Sequence, residues 1–246
     1  MTADAAGDER LGDRQISQQL LLGELDLCRA HGSSLPDRPP VTLRYILARI
    51  QTESKLLPRA ERRAAILHGA ARAFASAGFA ETSMDDVGTA CGVTKLIVYR
   101  HFGSKEELYR EILQQVFDHL GVELRAELAR PTHAGLGPRT LLTVAREDPA
   151  AFTLLWRHAA HEPQFAAYAA DLRAVSVAVV RQLSELHTGD ELLDAWHSEA
   201  LFGWLVETTL TWLARGDPVR DDEFVDETSA GFRALRAALT QGAALV

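Results

Sequence analysis

The chain has 246 residues, 47 % of them hydrophobic and 24 % charged, with a formal net charge of −8. That length and apolar content suit one or two packed domains, and no run of about 18 apolar residues is present to cross a bilayer. Cys28 and Cys91 make neither a disulfide framework nor a metal-ligand cluster, and the acidic start from Met1 to Asp8 lacks the order of a signal peptide, so a cytoplasmic protein is expected.

The negative balance is uneven. Residues 55–111 hold 9 basic and 7 acidic side chains, including all three lysines (Lys55, Lys95, Lys105), whereas residues 112–246 hold 11 basic and 19 acidic. A small cationic head on an acidic body is compatible with binding a polyanion, because phosphates respond to local charge.

Helical spacing dominates and strand-like alternation is almost absent, so the chain reads as all-α. Residues 15–29, with Ile16, Leu20, Leu21, Leu25 and Leu27, and residues 41–52, with Leu43, Ile46, Leu47 and Ile50, flank a Pro/Gly/Ser-rich stretch. They predict a helical hairpin in an N-terminal extension covering 1–55. Pro58 opens the next helix, which carries the stripe Ile66, Leu67, Ala70, Ala71 and Phe74 and stops at Gly78.

Thr82 and Ser83 stand ready to cap a short helix that Cys91-Gly92-Val93 interrupts, and a second short helix follows at once from Thr94 to Phe102. Ser104 with Glu107 three residues on has the pattern of a capping box before a long helix through Leu108, Ile112 and Val116. Further helices are predicted over 138–146, 149–160, 163–186, 190–215 and 222–240, broken by Pro149, Pro163, Gly189 and Gly216-Asp217-Pro218.

Two short helices around a glycine turn have the geometry of a helix-turn-helix, whose second helix enters a DNA major groove. With Val87, Val93, Val98 and Phe102 turned inward, the outward set is Thr94, Lys95, Leu96, Ile97, Tyr99, Arg100 and His101. Its hydroxyl, ammonium, guanidinium, phenol and imidazole groups suit phosphate oxygens.

The stretch from Ala77 to Val87, then Cys91-Gly92-Val93-Thr94-Lys95 and Val98-Tyr99-Arg100-His101-Phe102-Gly103-Ser104-Lys105, resembles the TetR family of transcriptional regulators over roughly residues 59–113. The resemblance implies a helix-turn-helix DNA-binding domain at 56–105 and a larger helical ligand-binding and dimerisation domain at 106–246. It implies that Ser83 and Thr94 meet phosphates at helix N-termini, that Lys95, Tyr99, His101 and Lys105 grip the backbone, and that Arg100 reaches a base edge or a phosphate. Leu96 and Ile97 depart from the small residues common there and are suited to a thymine methyl. Arg59, Arg62 and Arg63 are placed to serve as a basic arm.

The partners implied are a palindromic double-stranded DNA operator, a second copy of the chain and a small-molecule effector, with a repressor as the leading reading and an activator or a helical protein-binding module as alternatives. Phe152, Trp156, Phe165, Tyr168, Trp196 and Trp204 are the candidates to line an apolar effector pocket. Leu193, Trp196, Ala200 and Trp204, with Phe232, Leu235 and Leu239, form stripes expected to pair subunits in a four-helix seam. His158 and His161 stand three apart without a third ligand in sequence, and no nucleophile elbow or phosphate-binding glycine loop is present. No metal, cofactor or catalytic residue is therefore expected.

Overall fold

The computed structural model describes residues 59–242, so the hairpin expected over 15–52 and Cys28 lie outside the described residues. Among the described residues there are nine α-helices and no strand. Helix α1 (Arg59–Ala77) buries the predicted stripe, Ile66, Leu67, Ala70, Ala71 and Phe74, and ends where the Gly78 amide donates to the Phe74 carbonyl at 2.8 Å. Helices α2 (Met84–Ala90) and α3 (Lys95–His101) follow, then the long α4 (Lys105–Leu128). The body continues with α5 (Leu136–Glu147), α6 (Pro149–Thr153), α7 (Ala166–Leu183), α8 (Glu191–Arg215) and α9 (Asp221–Gly242).

Two boundaries differ from the sequence expectation, each for a local reason. The predicted 149–160 helix is α-helical only to Thr153; Leu154–His158 then winds as a π-turn and Ala159–His161 as a 3₁₀ turn. Pro163 cannot donate to a helix, and α7 begins three residues later, at Ala166. The capping box is also relocated. Its reciprocal bonds occur at Ser83 and Asp86, whereas Ser104 accepts from the Glu107 amide at 3.0 Å as a simple cap.

One apolar cluster runs without a break from α1 to α8. Its densest part is aromatic: Phe165 packs edge-on to Phe79 at 4.9 Å and stacked on Tyr109 at 4.4 Å, while Phe74 meets Tyr109 at 5.2 Å. Phe79 belongs to the turn before α2 and Phe165 caps α7, so the small head and the larger body share a core. A second knot ties α5, α8 and α9. Arg146 grips Asp221 with two bonds of 2.7 and 2.9 Å, Trp212 Nε1 donates to the same carboxylate at 2.7 Å, and Trp212 stacks on Phe224.

Candidate nucleic-acid interface

The turn before α2 is fixed by three neighbours. Thr82 donates its hydroxyl to the Gly78 carbonyl at 2.7 Å. Lys105 extends its ammonium back to the carbonyls of Phe79 and Thr82, both at 2.9 Å, and sits 4.3 Å from the Phe79 ring centroid. Glu162 accepts the Phe79 amide at 3.4 Å. Ser83 then caps α2: its hydroxyl accepts from the Asp86 amide and donates to the Asp86 carboxylate at 2.6 Å, which holds that carboxyl below its ordinary range.

The turn from α2 to α3 depends on two glycines. Gly92 has φ +66°, a left-handed conformation that side chains disfavour. Gly88 has a different role: a Cβ there would lie 2.7 Å from the Val93 carbonyl oxygen and 3.1 Å from the Lys95 nitrogen. The Val93 amide in turn donates to the Gly88 carbonyl at 2.9 Å. The two helices can approach this closely only without that methyl group. Gly88 escaped the sequence reading because a glycine in mid-helix carries no turn signal.

Helix α3 turns Val98 fully inward and exposes Thr94, Lys95, Leu96, Tyr99 and Arg100. Leu96 is 65 % exposed and Tyr99 47 %, so both stand on this face beside the donors. Thr94 sits at the N-cap with its hydroxyl making no capping bond. Lys95 pairs with Asp85 of α2 at 2.9 Å, and that bond and charge, with Tyr99 adding less, raise the Lys95 ammonium above its ordinary value. The lysine is therefore charged and on the surface, held level with the exposed end of α3.

Four of the expected contact residues stand differently. Ile97 is half-buried and packs against the core rather than outward, as does Val93. His101 is also half-buried; burial first, then the guanidiniums of Arg59, Arg63, Arg62 and Arg100, push its imidazole below the usual value. A neutral ring is the result at pH 7, and its buried Nδ1 finds no partner among the described residues. Lys105 has its ammonium committed to the Phe79–Thr82 turn. Arg63, considered as part of a basic arm, donates to the His101 carbonyl at 2.6 Å, pairs with Glu111 and lies 4.4 Å from the Phe102 ring, so it clamps α1 onto α3 and α4. These long-range bonds leave no trace in local sequence. Arg59 remains exposed near this face.

Of the six aromatics expected to line an effector pocket, Phe152 and Trp156 meet edge-on at 6.4 Å, and the others are spread over separate contacts. Phe152 and Phe165 are fully buried core. Trp156 lies edge-on to Phe202 at 5.1 Å with its Nε1 unpartnered among the described residues. Tyr168 donates its hydroxyl to Gln114. Trp204 packs over Gly231 of α9, and Trp196 is 57 % exposed on α8. Two cavities lie elsewhere. One of about 230 Å³ separates α1 from α4 and α5, lined by His68 and His119 among others; another of about 430 Å³ opens between the ends of α4 and α7, the start of α5 and the middle of α9. None of the six lines either. Of the stripes expected to pair subunits, Trp196 is the most exposed member, while Leu193, Ala200, Phe232, Leu235 and Leu239 are half-buried.

Comparison with known proteins agrees with this arrangement. Residues 66–112 match the family model of bacterial regulatory proteins, tetR family, and the matched segment spans most of α1 through the start of α4. The chain is 28 % identical over 181 residues to the HTH-type transcriptional activator FasR of Mycolicibacterium smegmatis, covering 70 % of this chain and 81 % of that protein. It is 37 % identical over 92 residues to an HTH-type transcriptional repressor of Mycobacterium tuberculosis, covering 37 % of this chain and 47 % of that one. Among solved structures, a TetR-like transcriptional regulator from Rhodococcus sp. RHA1 shares the fold with a TM-score of 0.59 at 23 % identity, covering 73 % of this chain and 96 % of that chain. A TetR-family regulator from Bordetella parapertussis gives a TM-score of 0.57 at 24 % identity, covering 69 % and 93 %.

Proposed function

Given that the chain belongs to the TetR family of bacterial regulatory proteins and is a transcriptional regulator, we propose that it acts in the cytoplasm as a homodimeric, ligand-responsive repressor of a palindromic operator. The division of labour is a DNA-binding head over 56–105 and a ligand-binding, dimerising body over 106–246. The observation that carries this reading is the exposed face of α3. Thr94, Lys95, Tyr99 and Arg100 project donors there, beside an uncovered Leu96, on a helix whose opposite side is locked by Val98 into the shared core. Donors position such a helix on phosphates, while Leu96 meets a thymine methyl. Ser83, Lys105 and His101 support this face from behind, through the turn and the helix ends. Two heads in one dimer would place their recognition helices about one DNA turn, roughly 34–36 Å, apart.

A second reading, an activator, has one specific support: the relative matched over 70 % of this chain is named an activator. Protein–DNA geometry does not set the sign of regulation, since that depends on where the operator lies relative to the promoter. Selection of bound sequences from a random DNA pool at two salt concentrations tests the operator. A palindrome with half-sites one helical turn apart is expected; retention without an enriched sequence would sink specific binding. A reporter behind the selected operator, with and without the gene, then separates repression from activation.

A further inference from the structure

The cavity of about 430 Å³ at the end of the body has an uneven chemistry. Its walls are apolar, built from Leu128, Val180, Leu183, Leu205 and Phe232, and no carboxylate lines it. Leu128 and Leu183 are 40 % and 43 % exposed at its mouth, so the apolar lining reaches solvent. Helix α9 turns Ser229, Phe232, Arg233 and Arg236 toward it, positions spaced as one helical face.

What marks these two arginines is their place: both line one apolar cavity whose lining holds no carboxylate to neutralise them. In a chain of net charge −8, Arg63, Arg130, Arg139, Arg146, Arg157, Arg173, Arg181 and Arg220 pair with carboxylates, while others, Arg59 and Arg100 among them, have no such partner among the described residues. Arg233 and Arg236 pair with none among the described residues. Arg236 instead donates one N–H to the Ser184 carbonyl at 3.2 Å, which steadies its guanidinium over the end of α7 and leaves its other donors available. Two guanidiniums without counter-ions among the described residues, lining one apolar chamber, present planar forks suited to an anionic oxygen pair.

We propose that this chamber binds an amphiphilic carboxylate, with the anionic head at Arg233 and Arg236 and an aliphatic body against Leu183, Leu205 and Phe232. The site deepens the effector part of the function proposed above, and it rests on that reading only for its consequence on DNA. The chamber is concave and largely apolar with few polar groups, the usual make-up of a small-molecule site. The charge-assisted contact selects acid over alcohol, because a neutral head leaves the same apolar burial but forfeits the fork.

The test is calorimetric titration of the full chain, without DNA, with decanoate, decan-1-ol and decyltrimethylammonium. Decanoate is expected to bind saturably and at least about tenfold more tightly than the alcohol, with the cation weakest. The exposed double variant R233Q/R236Q should bind acid and alcohol equally, and L183W, at the mouth, should weaken both. Equal affinities for all three probes in the unaltered chain, no saturable decanoate binding, or full acid preference in R233Q/R236Q would each overturn the site. Saturable decanoate binding that leaves retention of the selected operator unchanged keeps the site and overturns the effector role, so the two failures are distinct.

Discussion

Lys105 offers a sharp contrast between a DNA contact and a structural tie. Its ammonium makes two bonds of 2.9 Å to the Phe79 and Thr82 carbonyls and lies 4.3 Å from the Phe79 ring. Bonds from a charged donor contribute about 1.5–3 kcal/mol each, and holding a lysine in one rotamer opposes them by up to about 2 kcal/mol. Partial exposure reduces the sum further. Lys105→Met keeps the alkyl stem against Phe79 and removes both bonds, so a net loss of about 2 kcal/mol is expected. In a domain of this size that lowers the melting temperature by about 4–8 °C. The assay is paired: thermal unfolding by circular dichroism, and operator affinity measured across a salt series. A phosphate-gripping lysine would behave in the opposite way, with unchanged melting and a slope of log affinity against log salt shallower by about 0.9 for each phosphate no longer neutralised. Unchanged melting together with the shallower slope would refute the structural assignment.

Three further variants probe other parts of the molecule. Lys95→Gln removes a charge that is 57 % exposed and paired only with a similarly exposed Asp85, so melting should not change while the salt slope falls by about 0.9 per bound subunit; an unaltered slope would remove Lys95 from the interface. Gly88→Ala places a methyl 2.7 Å from the Val93 carbonyl, and overpacking of that kind costs about 1–3 kcal/mol and should weaken operator binding by displacing α3; wild-type affinity and melting would show that the two helices are not in close contact. Asp221→Asn weakens the knot with Arg146 and Trp212, whose partial exposure places the cost at about 2 kcal/mol at neutral pH, between surface and buried pairs. The Arg146 bonds, opposed by burial and aided by Trp212, hold the Asp221 carboxyl below its ordinary value, so its contribution is full above the unfolded carboxylate range of about 4 and is lost as pH falls through the folded value. The stability gap between wild type and variant, followed by urea unfolding, should therefore narrow progressively as pH is lowered below about 5; a constant gap would assign the knot to packing alone.

What the sequence made legible was local chemistry. The caps at Ser83 and Ser104, the stop at Gly78 and the turn at Gly92 each act within a few residues, and helices fall where those signals put them. The outward set on α3 was legible for the same reason, because helical periodicity assigns faces. It failed at Ile97, which sits on the boundary between faces and is drawn in by the core, and at His101, which is half-buried at the end of the helix. Contacts across long separations were not legible. Lys105 reaching back 26 residues to Phe79 and Arg63 crossing 48 to Glu111 obey no spacing rule, so a side chain suited by type to a phosphate is found bonded to a turn. The same holds for the candidate pocket aromatics: composition located them in the body, but only packing decides which side chains surround a void.

The same long-range contacts bear on how a signal could cross the molecule. The turn that carries α2, and through it α3, is held by Lys105 from α4, by Glu162 at the Phe79 amide and by the Phe165 ring at the start of α7. Just before Glu162 the chain leaves regular α-helix for a π-turn and a 3₁₀ turn, so this segment lacks the uniform ladder that stiffens a helix. Phe165 is fully buried between Phe79 and Tyr109, and a close-packed ring cannot shift without moving its neighbours. A displacement of α4 or α7 by a bound effector would therefore be carried to the head as a change in its orientation rather than absorbed inside it. In a dimer such reorientation alters the separation of two recognition helices, and a ligand shifts operator affinity only as far as it prefers one separation over the other.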